Sequence, residues 1–314
     1  MCAKKVKRRF IPMECNHVYQ RGVNGFNVFY DREDYLVCYM ILSVVARKRN
    51  VKILEICFMF DHVHILLESQ SCEDMAAFIR DYTSVFVREY NSSIGREGQL
   101  FHKSFGSAPK QGGKKMRSII VYIGNNPVEK DLCRYAEDYR WNFLRYMVSP
   151  HPFSVNVPSR KRSRRLTRCM KYVSAVAQSG NYLNYRQLHN LFEGLSVEET
   201  EFMTDYIIMK YYPFDDSKLL SFYDDWQQMA DAMHSTAGSE HDIVEQWYHR
   251  PDDIYVKMAD YIKEHFDISP LRRVTVLPLS QKKALLAQLR VNVGATLYEA
   301  CKFLHLKFDQ QTKY

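Results

Sequence analysis

The chain has 314 residues, 46% of them hydrophobic and 25% charged, which is the make-up of an ordinary folded protein with room for two domains and excludes a disordered chain. Its net charge of +8 is unevenly spread: through Arg168 there are 29 Lys and Arg against 16 Asp and Glu, and from Cys169 onward 15 against 20. A basic first half suits a polyphosphate partner, whose neutralised phosphates release counterions, and the acidic second half does not. The eight cysteines include no Cys-x-x-Cys pair, which argues against a disulfide framework or a zinc knuckle and for reduced thiols in a cytoplasmic protein. The basic start leads to Pro12 and Glu14 with no long apolar run, so neither a signal peptide nor a membrane partner is expected.

After the basic arm, Cys15 to Gly22 is a β-prone run ended by the turn signal Gly22-Val23-Asn24-Gly25. Helical spacing over Asp31 to Arg49, with an acidic start and a basic end, predicts a first helix aligned with its own dipole. Val51 to Cys57 and His62 to Glu68 read as two strands joined closely through Met59-Phe60-Asp61, an antiparallel pair. A second amphipathic helix runs from Cys72 to about Asn91, and Leu100 to Ala108 reads as extended. This order, β, α, β, β, α, β, is that of a ferredoxin-like split unit: an antiparallel sheet with helices on one face and His62 to Glu68 on an inner strand.

On that strand the period of two sends His62 and His64 to the same face. Two neutral imidazoles there can share one divalent cation, or they can simply satisfy hydrogen bonds with neighbours; the pattern alone leaves both readings open. A third helix is expected over Gly112 to Tyr122, with Lys114, Lys115 and Arg117 on one side and Met116, Ile119, Ile120 and Ile123 on the other. Asn126 lies four residues beyond Tyr122, but Pro127 predicts that the helix ends there and that Asn126 caps a following segment.

Beyond Trp141 the sequence loosens toward the basic run Arg160, Lys161, Arg162 to Arg168, which can track a phosphate backbone or serve as a solvated linker. Helical spacing returns at Leu188 to Leu191, Ser196 to Lys210, Asp215 to His234, Ile254 to Phe266 and Ser280 to Arg290. Thr296-x-x-Glu299 is a capping box opening a short amphipathic helix, as in the middle of a helix-turn-helix. The expected organisation is a basic arm (1–13), an α+β domain (14–150), a basic linker (151–170) and an all-helical C-terminal domain (171–314), with a partial helix-turn-helix at 280–314.

Five ordered blocks carry a resemblance: Asn16-His17-Val18-Tyr19-Gln20-Arg21-Gly22, Met59-Phe60-Asp61-His62-Val63-His64-Ile65-Leu66, Gly95-x-x-Gly98-x-Leu100-Phe101, Tyr122-Ile123-x-x-Asn126-Pro127-Val128 and Glu137-Asp138-Tyr139-Arg140-Trp141. Over roughly residues 14–146 the chain resembles the REP-associated tyrosine transposases of the single-tyrosine HUH superfamily. It departs in having Asp61 where that family usually has Asn and Gly124 where it often has His.

The resemblance implies an α+β fold with an HUH catalytic domain, acting as a metal-dependent endonuclease and strand transferase on single-stranded, hairpin-containing DNA, in DNA transposition. His62 and His64 would hold Mg2+ or Mn2+, and the Tyr122 hydroxyl would attack phosphorus to leave a 5′-phosphotyrosine. Asn126 would be a third ligand or a positioning group. Lys114, Lys115, Arg117, Arg160, Lys161, Arg162 and the Lys4 to Arg9 arm are the candidate phosphate contacts, and the chain would act as a monomer or homodimer. The alternative is a domesticated, non-catalytic binder of structured DNA with a regulatory role.

Overall fold

Alternating side chains need both a ladder and a partner layer, and four segments supply the ladder. In the computed structural model, which describes residues 10–236 and 251–308, strands β1 (Cys15–Arg21), β2 (Lys52–Phe58), β3 (His62–Glu68) and β4 (Gly106–Lys110) form one antiparallel sheet in the order β2-β3-β1-β4. Helix α1 (Arg32–Lys48) lies between β1 and β2 in sequence, and α2 (Cys72–Ile94) between β3 and β4. The split βαββαβ order is therefore present, with β3 an inner strand as its sequence predicts. Helix α2 starts where the Ser71 hydroxyl accepts the Asp74 N–H and stops at Gly95 in the left-handed region.

One face of the sheet, with Val18, Val63, Ile65 and Leu67, packs on α1 and α2 among Tyr39, Phe78, Tyr82 and Phe86. The other face, with Cys15, Leu54, Cys57 and Leu66, is covered by α3 (Gly113–Glu129) through Met116, Ile119 and Ile120. Both faces are thus dry, and all seven residues of β3 are buried. At roughly 1.5–3 kcal/mol for each large apolar side chain taken from water, these two layers dominate the stability of this half.

Several expectations change. The extended stretch Leu100 to Ala108 is strand only from Gly106; before it, Phe101 makes a single bridge to Gly22. Pro127 does not end α3, which continues to Glu129: residues 119–127 are buried all round, and that packing offsets the backbone hydrogen bond a proline cannot make. The stretch beyond Trp141 is tied down rather than loose. Its anchor is Asp205, fully buried, which accepts from the Tyr146 hydroxyl at 2.6 Å, the Ser154 hydroxyl at 2.7 Å and the Phe153 N–H at 3.2 Å.

The basic run leads directly into α4 (Arg164–Gln178), capped by Ser163. With α5 (Tyr185–Phe192) and α6 (Val197–Tyr211) it extends the α1/α2 core through Leu166, Leu188, Phe202 and Ile207, so apolar packing continues across the expected linker. The segment Asp215 to His234 is two helices, α7 (Asp216–Leu220), set against β2, and α8 (Trp226–Thr236), set against α3 through Met229 and Met233. Finally α9 (Asp253–His265), α10 (Leu279–Gln288) and α11 (Leu297–Leu304) build a third cluster that includes Tyr30. In α11, Glu299 to Leu304 are all buried; the segment after it, where the expected helix-turn-helix would continue (309–314), and the arm at 1–9 lie outside the described residues. No helix among the described residues is long and apolar enough to cross a membrane.

His305 closes α11 in the left-handed region, stacks on Phe26 at 4.7 Å, and donates from Nε2 to the Asn27 carbonyl at 2.7 Å. Burial pushes its imidazole down to about 3. The folded state therefore refuses a proton that the unfolded chain accepts near pH 6.5, so this stability is complete above pH 6.5 and is lost as pH falls toward 3, by up to about 1.4 kcal/mol per pH unit. Urea unfolding at pH 7 and pH 5 should show a smaller difference for His305→Asn than for the wild-type chain.

Candidate active site

The site is assembled on the sheet face that α3 covers. The β1–β3 register sets Tyr19 opposite His64 and His17 opposite Leu66, so His17, Tyr19, His62 and His64 share that face. The His64 and His62 rings stand edge to face at 4.8 Å; His17 and Tyr19 stack beside His64 at 5.1 Å and 5.9 Å. Tyr122 comes down from α3, its ring edge-on to His64 at 5.5 Å and to His17 at 5.9 Å.

Each histidine of the His-x-His pair has one ring nitrogen engaged and one left over. His62 Nδ1 lies 2.6 Å from Asp61 Oδ1, and His64 Nδ1 lies 2.9 Å from His17 Nε2. The Asp61 carboxylate can only accept, so His62 Nδ1 carries the proton and Nε2 the lone pair. The Nε2 atoms of both His62 and His64 are buried without a hydrogen-bond partner. Burial, reinforced by His62 and His17, holds the His64 imidazole well below its usual value, and burial with Lys110 nearby lowers His17 to about 3. At neutral pH both are uncharged, as metal ligands must be.

Asn126 sits beside the pair, on the Tyr122 side. Its Nδ2 donates to the Tyr122 carbonyl at 2.8 Å, one helical turn back, and its amide favours the protonated form of His64. With the nitrogen so committed, Oδ1 is the amide atom that interacts with His64, and it is the atom that would serve a cation in its place. Asn126 is therefore part of the site wall and not a helix cap, because α3 runs past it. Two imidazole lone pairs and an amide oxygen fit a divalent cation that keeps further positions for water or phosphate. Among the described residues no three His, Cys, Asp or Glu converge as ligands, so the fit depends on the amide.

The carboxylate behind His62 is itself surrounded. Asp61 is 2% exposed; Lys302 Nζ lies 3.0 Å from its Oδ2 and the Arg21 guanidinium 3.4 Å. Burial alone would raise the Asp61 carboxyl, but Lys302, His62 and Arg21 outweigh it and hold the group well below its usual value. Its backbone is fixed too: the Asp61 carbonyl accepts the Gly22 N–H at 2.6 Å. A side chain at Gly22 would meet the Phe26 carbonyl oxygen at 2.3 Å, so only glycine allows this approach.

The candidate phosphate contacts separate into two groups. Lys114, Lys115 and Arg117 are exposed at the start of α3, the helix that carries Tyr122. Arg160 and Lys161 are exposed on a 3-10 turn elsewhere, whereas Arg162 donates from Nε to the Val157 carbonyl at 2.8 Å and covers the Phe202 ring at 5.3 Å. Arg162 is thus tied into the packing next to α6. Sequence reasoning assigned no role to His17 or Lys302: His17 could have been found by continuing the period of two onto β1, but nothing near Lys302 in sequence points to Asp61.

Helix α8 closes the back of α3. The Asn125 side chain donates to the Met233 carbonyl at 2.8 Å, and a Cβ on Gly124 would come within 2.7 Å of Met233 Cε. Tyr122 is 1% exposed under this packing. Gly124→Leu should cost about 1–3 kcal/mol by overpacking, read from urea unfolding, and Met233→Ala in the same chain should return part of that loss.

Residues 20–126 match the family model described as "Transposase IS200 like". No curated protein matches the chain. Among solved structures, one described as the structure of a REP-associated tyrosine transposase bound to a REP hairpin is similar at 16% identity and a TM-score of 0.40, covering 52% of this chain and 98% of that one.

Proposed function

We propose that the chain, whose residues 20–126 match an IS200-like transposase family model, nicks and rejoins single-stranded, hairpin-containing DNA with Tyr122 as nucleophile. One observation carries the reading: two buried imidazole Nε2 atoms without partners stand on the same sheet face as a tyrosine ring 5.5 Å from His64. His62, His64 and the Asn126 amide would hold Mg2+ or Mn2+. When bound, such a cation supplies Lewis-acid stabilisation of the charge that develops on the phosphate.

The chain's own groups do the rest. The Tyr122 hydroxyl gives up its proton as its oxygen bonds to phosphorus and the bond to the 3′ oxygen breaks, and the departing oxygen takes up one proton to become a 3′-hydroxyl, so no net proton is gained or lost. The resulting 5′-phosphotyrosine is still a phosphodiester, so a second 3′-hydroxyl can reverse the step without an external energy source. Lys114, Lys115 and Arg117, on the same helix as the nucleophile, would hold flanking phosphates and fix the register of the strand. Because Tyr122 is 1% exposed, a phosphate reaches it only when elements packed around α3 separate. That burial also favours a second reading, a non-catalytic binder of structured DNA.

A hairpin-containing single-stranded oligonucleotide with Mn2+ should give a covalent protein–DNA adduct on a denaturing gel, absent in Tyr122→Phe and reduced at least 100-fold in His64→Ala. An adduct that persists in Tyr122→Phe would move the nucleophile elsewhere. Tight binding with no adduct from the wild-type chain would select the non-catalytic reading. Replacing Lys114, Lys115 and Arg117 together by Ala should lower the slope of log affinity against log salt by about one per lost phosphate contact, up to about three, in binding titrations.

A further inference from the structure

Lys302 belongs to α11, far along the chain from the matched transposase residues, yet its ammonium lies 3.0 Å from Asp61 Oδ2 while Asp61 Oδ1 holds His62 Nδ1 at 2.6 Å. We propose that Lys302 is a positioning residue for His62, acting through Asp61, so that the C-terminal helix α11 completes the cation-holding end of the site. The inference rests on the reading of His62 as a ligand, and it assigns the acidic C-terminal part of the chain a role in the chemistry.

The geometry is that of a placed charge. Lys302 is 9% exposed and its ammonium stands over the Tyr255 ring at 4.9 Å. Its backbone is held from several sides: its own carbonyl accepts the Asn27 N–H at 3.3 Å, the next carbonyl, of Phe303, accepts the Tyr30 hydroxyl at 2.5 Å, and His305 reaches the Asn27 carbonyl. Thr296 and Glu299 cap the start of the helix reciprocally. A lysine side chain buried against Tyr255 on a backbone held in this way has little freedom left to lose when it pairs.

A carboxylate taken out of water must find compensation for both oxygens, or it rotates or takes a proton. Arg21, whose side chain is 47% exposed, lies at 3.4 Å and is a weak partner. With Lys302 on Oδ2, Oδ1 stays on His62 and fixes both its tautomer and its ring plane. Such carboxylate–histidine pairs behind a metal ligand commonly change metal affinity 10- to 100-fold when broken.

The test compares the wild-type chain with Lys302→Met, with Lys302→Arg, with the charge-balanced double variant Asp61→Asn/Lys302→Met, and with Tyr30→Phe, which loosens α11 without touching Lys302. Two readouts are taken below the unfolding temperature of every variant: the His62 tautomer in the metal-free protein, from 15N imidazole shifts, and Mn2+ affinity by titration. We expect Lys302→Met to mix the His62 tautomers and weaken Mn2+ binding at least 10-fold. Lys302→Arg should retain the Nδ1–H tautomer, the double variant should recover part of the affinity, and Tyr30→Phe should change neither readout. A pure Nδ1–H tautomer with wild-type Mn2+ affinity in Lys302→Met would overturn the proposal, as would an equal loss of both in Tyr30→Phe. If Lys302→Met does not fold, the double variant carries the test: a wild-type Mn2+ affinity there, with both the ammonium and the carboxylate gone, overturns the proposal, and a loss supports it. Because the tautomer is read without metal or DNA, failure of the wild-type chain to form a DNA adduct refutes the transposase reading separately.

Discussion

A carboxylate buried beside a histidine sets the terms for the rest of this molecule. Asp61 sits at the turn between β2 and β3, 2% exposed, and in that position it must be neutralised from every direction it faces. His62 supplies one donor from its own strand, Arg21 a second from the end of β1, and Lys302 a third from the other end of the chain. That third donor comes from α11, a helix of only eight residues. That helix is held by its capping box, by its carbonyl bonds to Asn27 and Tyr30, and by its apolar face against α9 and α10.

The helix that carries Tyr122 is held in a different way. Residues 119–127 of α3 are buried between the sheet and α8, and this packing keeps the helix regular through Pro127. Continuation of the helix puts Asn126 one turn from Tyr122 and on the side of His64, which a break at Pro127 would have undone. The same close packing makes Gly124 necessary, since Met233 occupies the space a side chain would need. Rigidity and access therefore pull against each other here: the layer that fixes the tyrosine also covers it.

Apolar packing runs across both halves of the chain. Helices α4 to α6 complete the apolar layer of α1 and α2, α7 and α8 complete that of α3, and Tyr30 belongs to the cluster of α9 to α11. Polar bonds run across the same seams: Arg272 pairs with the buried Asp34 at 3.3 Å and covers Tyr185 at 3.8 Å, and the Leu271 N–H reaches Asp31. The charge asymmetry of the sequence does not follow these seams, because charge counts record surface and composition, and the seams are set by apolar area.

By itself the sequence determined the features that depend on near neighbours. The period of two placed His62 and His64 on one face, the Gly22 to Gly25 signal ended β1, and the succession of helical and strand spacings gave the split βαββαβ order with β3 inside. Local chemistry also located most helices of the second half to within a few residues, because capping residues such as Ser196 and Thr296 act over three positions. Only the tertiary structure decided what depends on distant packing. It showed that α3 passes through Pro127, that Asp215 to His234 is two helices, that His17 backs His64, and that Lys302 backs Asp61. A proline's cost is fixed locally but its tolerance is set by burial from other elements, and a lysine's usual place in water is overridden only when a carboxylate from a remote turn needs its charge.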